Sequence, residues 1–322
     1  MPPVPSVEKK PATYDVYEST LEPKYQERAR SELNEESFRL EPAIARMREF
    51  IAKHPQIQRC RTDAVFLLRF LRYRKFNVDA ACEVLERCLT ALQVSPEFFT
   101  LDLENPMIER CMCVPLGQNI DGSMVFLIRV GSFDPATFEP EQVVRLNMLA
   151  LETYVYDEVY QVTGITAVID LHGMTLAHAG AITLPKLSVI MDSTHNYLGV
   201  RIQRIHLVRL PKIAATVVDL ISKALSPKLQ QRVKFHKTLD TLKDDIDPEV
   251  LPTIYGGKQS LEEANEKFHK LALSQRDRFL KQAEMYIDLS IPAPNAKNAN
   301  AALQSSVADE SVIGSFRKLN VD

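Results

Sequence analysis

Three groups of residues carry the polar chemistry open to this sequence. Cys111 and Cys113 stand two apart, a spacing that puts two thiols on one face of a strand and could begin a metal site. No matching Cys or His pair follows, so small core or edge residues are the simpler reading. Asp170, His172 and His178 flank the segment Gly173–Ala177. An Asp beside a His could act as a general base. The chain has no G-x-S-x-G, no G-x-G-x-x-G and no G-x-x-x-x-G-K-[ST], so neither a nucleophile elbow nor a Gly-rich phosphate cradle accompanies them. Structural hydrogen bonding is the better reading. No catalytic residue, metal or cofactor is expected, and the chain is not expected to be an enzyme. His206, inside RIHLV, reads as an interior or face residue with its polar atoms satisfied.

The third group is positive charge. Arg201 and Arg204 form one cluster, and Lys228, Arg232, Lys234 and Lys237 another. The whole chain is slightly acidic, with 39 Lys+Arg against 42 Asp+Glu and a net charge of -3, so these clusters are local. That balance excludes a generally basic nucleic-acid binder and an acidic disordered chain. The clusters are either solvated surface or a contact for anionic lipid, where each Lys or Arg contributes about 1 kcal/mol.

An apolar stripe precedes the second cluster. PKIAATVVDLISKAL, residues 211–225, sets Ile213, Val217, Leu220 and Ala224 on one helical stripe, widened by Ile221 and Leu225. A core-facing crossover helix has the same pattern. Residues 143–160 line up Val144, Met148, Leu151 and Val155. Asn147 falls on that face, and a buried Asn needs partners, so it is a candidate polar handle in a pocket.

The elements that hold these residues change texture along the chain. A Pro-rich flexible arm is expected over 1–22, and a helical domain over 23–105. Pro42 is expected to start a helix, Thr62 or Asp63 to cap another, and Asn77 a third. Residues 106–259 alternate short apolar runs with helices. Strands are expected at 112–116, 124–130, 165–171, 204–208 and 232–235, with helices at 140–162, 184–196 and 211–224. Asp121-Gly122 marks a hairpin, and the later strands are separated by whole helices. The fold class is therefore α/β with a mostly parallel five-stranded sheet. Ser260 with Glu263 opens a helix over 260–288, and 289–322 is a low-complexity tail. Five cysteines, an odd number, argue against a disulfide framework and for a reducing compartment. The longest uncharged run, 171–185, is shorter than the roughly 20 residues of a membrane span, and MPPVPSVEKKP lacks a secretory-signal pattern. A cytoplasmic protein, at most transiently peripheral to membranes, is expected.

Four stretches resemble one family. TDAVFLLRFLRYRKFNVDAACEVLERCL is similar to the N-terminal helical domain of CRAL–TRIO lipid-transfer proteins, with their LLRFLRAR-like helix. GITAVID resembles the strand before their ligand pocket, YLGVRIQRIHLVRLP their Y-P-x-R…I-H-x-x-N-x-P block, and LPTIYGGK their Y-G-G signature. The resemblance covers about residues 40–285. Among subgroups of the family it looks most like the tocopherol-transfer and retinaldehyde-binding proteins. It implies one hydrophobic lipid (tocopherol, retinoid, carotenoid or another isoprenoid) in a cavity between the sheet and a mobile lid helix. It places in the wall Val144, Asn147, Met148, Leu151, Ile165, Ala167, Ile169, Ile182, Leu187, Ile190, Leu198 and Ile205. It places Ile213, Val217, Leu220, Ile221 and Leu225 on the lid. It implies phosphoinositide or membrane contact through Arg74, Arg201, Lys228 and Arg232, and structural ion pairs for Arg69 and Arg72. The implied partners are the lipid and an anionic membrane surface, with no nucleic acid. The alternative function is a phosphoinositide-responsive membrane adaptor without a dedicated cargo. Gly199 stands where the family usually has Pro, and Arg209 where it usually has Asn.

Overall fold

The computed structural model describes residues 4–181, 199–211 and 227–292. The helices α1 (Pro23–Leu33), α2 (Ser37–Lys53), α3 (Ala64–Tyr73), α4 (Val78–Val94) and the single turn α5 (Pro96–Phe99) come first. Of the two candidate caps for α3, Asp63 serves, accepting from the Phe66 N–H. Asn77 caps α4 by accepting from the Ala80 N–H. The α3–α4 turn uses Lys75 and Phe76 at φ 50° and 60°. Pro42 lies inside α2, which begins a turn earlier at Ser37. Leu67, Leu68, Phe70 and Leu71 pack with Ile44, Met47, Ile51, Leu85 and Leu89 in one core.

Residues 4–22 do not form a free arm. Val7 and Leu21 are buried. Lys9 Nζ donates to the carbonyls of His54 and Ile57, and Asp15 accepts from Arg48 and from the Ala64 N–H. Tyr17 and Thr20 donate to Glu158. The prolines suppress regular structure, while these side-chain anchors, with the Cys60 N–H donating to the Val7 carbonyl, hold the segment across the protein as a strap.

A two-stranded antiparallel ribbon pairs β1 (Ile57–Arg59) with β7 (Tyr286–Ile287). The main sheet holds β2 (Cys113–Gln118), β3 (Met124–Arg129), β4 (Ile165–Asp170), β5 (Ile202–Val208) and β6 (Val233–Phe235), in that order. β2 and β3 are antiparallel across the turn at Asp121-Gly122, where Gly122 takes φ 84°. The remaining pairs are parallel. Cys111 lies before β2 with φ 47°, so the two thiols do not share a strand face.

The helix expected over 140–162 is two, α6 (Pro140–Tyr154) and α7 (Glu158–Thr163), because Asp157 caps the second by accepting from the Val159 N–H. A short α8 (Leu176–Ala181) follows β4, and α9 (Pro227–Gln230) precedes β6. The helix expected over 260–288 likewise divides, into α10 (Leu261–Ser274), capped by Ser260, and α11 (Arg276–Gln282), before the chain enters β7. The expected lid over 211–225 lies outside the described residues apart from Pro211.

One face of the sheet carries Val125, Leu127, Val168 and Val208, buried against Leu242, Ile246, Leu251, Tyr255 and Leu261. The opposite face carries the register rows Phe126–Ala167–Ile205–Val233 and Ile128–Ile169–Leu207–Phe235. α6 covers the start of that face, where Met124, Phe126 and Ile165 share a core with Val144 and Met148.

Candidate functional site

The apolar rows are the first half of the site. Alternation along β4 sends Ile165, Ala167 and Ile169 to one side and Thr166, Val168 and Asp170 to the other. Ala167, Ile169 and Ile205 are half-buried, whereas Val168 and Val208 on the other face are fully buried. Val144, Met148 and Ile165 are buried in the main core. Leu151 and Asn147 are half-buried, and Asn147 Nδ2 donates 2.8 Å to the Val143 carbonyl on its own helix. Leu151 and Ile165 also line a small apolar void with Met124, Phe126, Tyr154, Val155, Tyr160 and Val200. Its volume of about 10 Å³ is at the lower limit for one water molecule. Ile182, Leu187, Ile190 and Leu198 of the expected wall, and Ile213, Val217, Leu220, Ile221 and Leu225 of the expected lid, lie outside the described residues.

The second half is a basic cleft of about 390 Å³ lined by Gln203, Arg204, Lys228, Gln231, Arg232 and Asp121. Arg232 Nη1 donates 2.5 Å to the Ile202 carbonyl, which fixes the guanidinium against β5. Its pKa is pushed down, first by burial and then by the charges of Arg201 and Arg204. Like charges held together in this way lower the cost of accepting an anion. Arg201 stands beside the cleft and pairs with Glu32 at 2.7 Å. Arg74 lies over the Tyr73 ring, and the Tyr73 hydroxyl feels the charges of Arg74, Arg87 and Arg232. Of the four expected basic residues, Lys228 and Arg232 therefore line the cleft and Arg201 stands beside it, while Arg74 is not among its lining residues. Arg204, Gln203 and Gln231 are additions. The Arg201–Arg204 cluster was the sequence signal for Arg204, but nothing in the sequence showed that the turn after α9 would bring Gln231 to Gln203 of β5.

The catalytic alternative loses its parts. Asp170 accepts from Arg209, from Tyr255 Oη at 2.6 Å and from the His172 N–H at 3.0 Å. Burial alone would raise its pKa, and these hydrogen bonds outweigh that and hold it low. His178 Nδ1 accepts from the Thr175 N–H, so Nε2 carries the proton and donates 2.6 Å to the Phe133 carbonyl. The imidazole is a brace between two loops. His172 is exposed. No dyad forms among the three.

His206 has the polar partner expected of it, and the partner is another imidazole. Its Nδ1 lies 2.8 Å from His236 Nε2. Its pKa falls to about 4 through burial first and then His236, against the opposing charge of Asp245.

Arg69 and Arg72, in the LLRFLRYR segment of α3, form structural ion pairs. Arg69 meets Glu152 of α6 at 2.7 Å, with both side chains almost fully buried. Arg72 meets Glu35 and Glu158, each at 2.8 Å. The pairs to Glu152 and Glu158 dock the helical layer on the sheet domain, and the pair to Glu35 ties the helical layer together.

The sheet order, the apolar face and the fingerprint stretches together define a class. Residues 109–257 match the CRAL/TRIO domain, and over that stretch the chain is similar to the lipid-binding and lipid-transfer proteins that carry it. Among characterised proteins it is similar to Clavesin-2 of Homo sapiens, at 29% identity over 74% of this chain and 75% of that one. It is also similar to Clavesin-1 of Xenopus laevis, at 28% identity over 74% of each chain. A solved structure titled "Crystal structure of Sfh5" aligns with 66% of this chain and 80% of its own, at 14% identity and a TM-score of 0.42. Among the described residues no helix is long and apolar enough to cross a membrane.

Proposed function

We propose that this protein carries one hydrophobic lipid and exchanges it at anionic, phosphoinositide-containing membranes. The half-buried apolar rows of the sheet supply one wall of the cargo site. Burying roughly 400 Å² of an isoprenoid gains on the order of 10 kcal/mol at about 25 cal/mol per Å², before ordering costs. That suffices for tight retention with few polar contacts. Release then needs a second event, and membrane docking provides it. Opening the apolar wall into water is unfavourable, so it is coupled to contact with the bilayer.

The observation that carries this reading is the basic cleft. Arg204, Lys228 and Arg232 converge there in a chain of net charge -3. The protein is cytoplasmic and visits the membrane transiently. The test is transfer of a fluorescent lipid from protein to vesicles containing a phosphoinositide. Lys228→Glu with Arg232→Glu slows transfer to those vesicles and leaves equilibrium binding of the lipid intact. Unchanged transfer by the double variant overturns the docking step.

A further inference from the structure

On the buried side of β5, away from the apolar rows, three ligand atoms converge. His206 Nδ1 lies 2.8 Å from His236 Nε2. Asp245 Oδ2 lies 4.0 Å from the first and 3.8 Å from the second. We propose that His206, His236 and Asp245 form a divalent-cation site suited to zinc.

The edges of the triangle support this assignment. A tetrahedral zinc ion with bonds of about 2.0–2.1 Å sets its ligand atoms about 3.4 Å apart. The three observed separations bracket that distance. Reaching it requires the imidazoles to part and the carboxylate to approach by about half an ångström each. Two imidazoles and one carboxylate with a fourth position for water is a common zinc donor set.

The tautomer of His236 is already set for coordination. Thr241 Oγ1 donates its single proton to the Thr238 carbonyl at 2.9 Å. It can therefore only accept from His236 Nδ1, 3.0 Å away. The proton sits on Nδ1, and the Nε2 lone pair points at His206. An outer partner on the distal nitrogen is the usual way in which a zinc-bound His is oriented. Coordination also requires His206 Nδ1 to be bare, so its proton moves to Nε2 as the metal enters.

The supporting elements differ in rigidity. His206 is held in β5 and His236 directly follows β6, both buried. Asp245 is in a turn, with 27% of its side chain exposed, which gives the ion an entry path. Lys234 Nζ now lies 2.5 Å from Asp245 Oδ2. It is the resident cation, and its half-exposed side chain can leave to solvent when a metal takes its place.

The experiment uses the full-length protein stripped with a chelator and titrated with Co²⁺, followed by visible absorption. One equivalent should give tetrahedral ligand-field bands without a thiolate charge-transfer band, and Zn²⁺ should then abolish them. The bands should vanish in His236→Asn. Should that variant fail to fold, Asp245→Asn, at the exposed ligand, should weaken Co²⁺ affinity instead. Lys234→Met should tighten affinity by about tenfold, the scale of outer-shell effects on metal sites. Absence of saturable bands in the wild-type protein overturns the assignment, as do bands that persist in both ligand variants or that carry thiolate character.

Discussion

Arg209 grips Asp170, with Nε 2.9 Å from Oδ1 and Nη2 on Oδ2. This contact ties the end of β5 to the end of β4 at the point where the chain leaves for residues 212–226. Arg209 makes it from the left-handed region, at φ 53°. Asn occupies that region more readily than most residues. The two residues thus offer different compromises, backbone ease for Asn and an ion pair for Arg.

Arg209→Asn should keep the backbone and lose the pair. Asp170 retains Tyr255 and the His172 N–H, so the cost is about 2 kcal/mol, typical of a hydrogen bond to a charged group. Arg209→Val, which cannot adopt the left-handed region at low cost, should be worse. Denaturant midpoints at a common slope measure both. Equal midpoints for the two variants would show that the backbone conformation contributes nothing.

The buried pair of Arg69 and Glu152 holds α3 on α6. Removing one partner leaves an uncompensated buried charge, so Arg69→Ala should destabilise by about 3–5 kcal/mol. Arg69→Met with Glu152→Leu removes both charges and keeps the volume. It should recover most of that loss, which a double-mutant cycle reads directly.

Acid should unfold the protein partly through Glu152 and Asp170. Burial alone would raise both pKa values. Glu152 is held below its ordinary 4.5 by the Arg69 charge and by hydrogen bonds from Gln282 and Arg69. Asp170 is held below 3.8 by Arg209, Tyr255 and the His172 N–H. Both bind fewer protons folded than unfolded near those values. Their contribution is therefore complete above the unfolded pKa and is lost as pH falls below about 4.5 toward the folded values. Asp170→Asn should flatten the acid limb of the stability curve between those limits, measured by denaturation at successive pH values. An unchanged acid limb would contradict the assignment.

Arg204 separates the cleft from the four basic positions anticipated in the sequence. Arg204→Ser should weaken binding to phosphoinositide vesicles by about 1 kcal/mol, roughly fivefold, and reduce its salt dependence. Co-sedimentation at two ionic strengths measures it. A variant that binds as tightly as wild type places the headgroup elsewhere.

Much of the fold was legible because its signals are local. The hairpin at Asp121-Gly122, the caps Asp63, Asn77 and Ser260, and the five apolar runs each follow from a few adjacent residues. What was missed depended on contacts far apart in sequence. The strap over 4–22 looks unstructured until Arg48 and Glu158 anchor it. The break between α6 and α7 turns on the side chain of Asp157 capping a second helix inside one apolar pattern. The site was legible to a similar depth. Strand alternation points Ala167 and Ile169 together, and charge clustering marks Lys228 and Arg232. The approach of Gln203 to Gln231 and of His206 to His236 arises only when β6 pairs with β5. Gly199 adopts φ 50°, which Pro cannot reach, so the backbone of this chain excludes Pro at that position.

The central claim is that the apolar face of the sheet holds a lipid. Organic extraction of the purified protein, followed by mass spectrometry, tests it most directly. The account predicts one hydrophobic lipid at close to one molecule per chain. Recovery of no stoichiometric lipid, together with headgroup-specific vesicle binding, would contradict the carrier and favour a membrane adaptor.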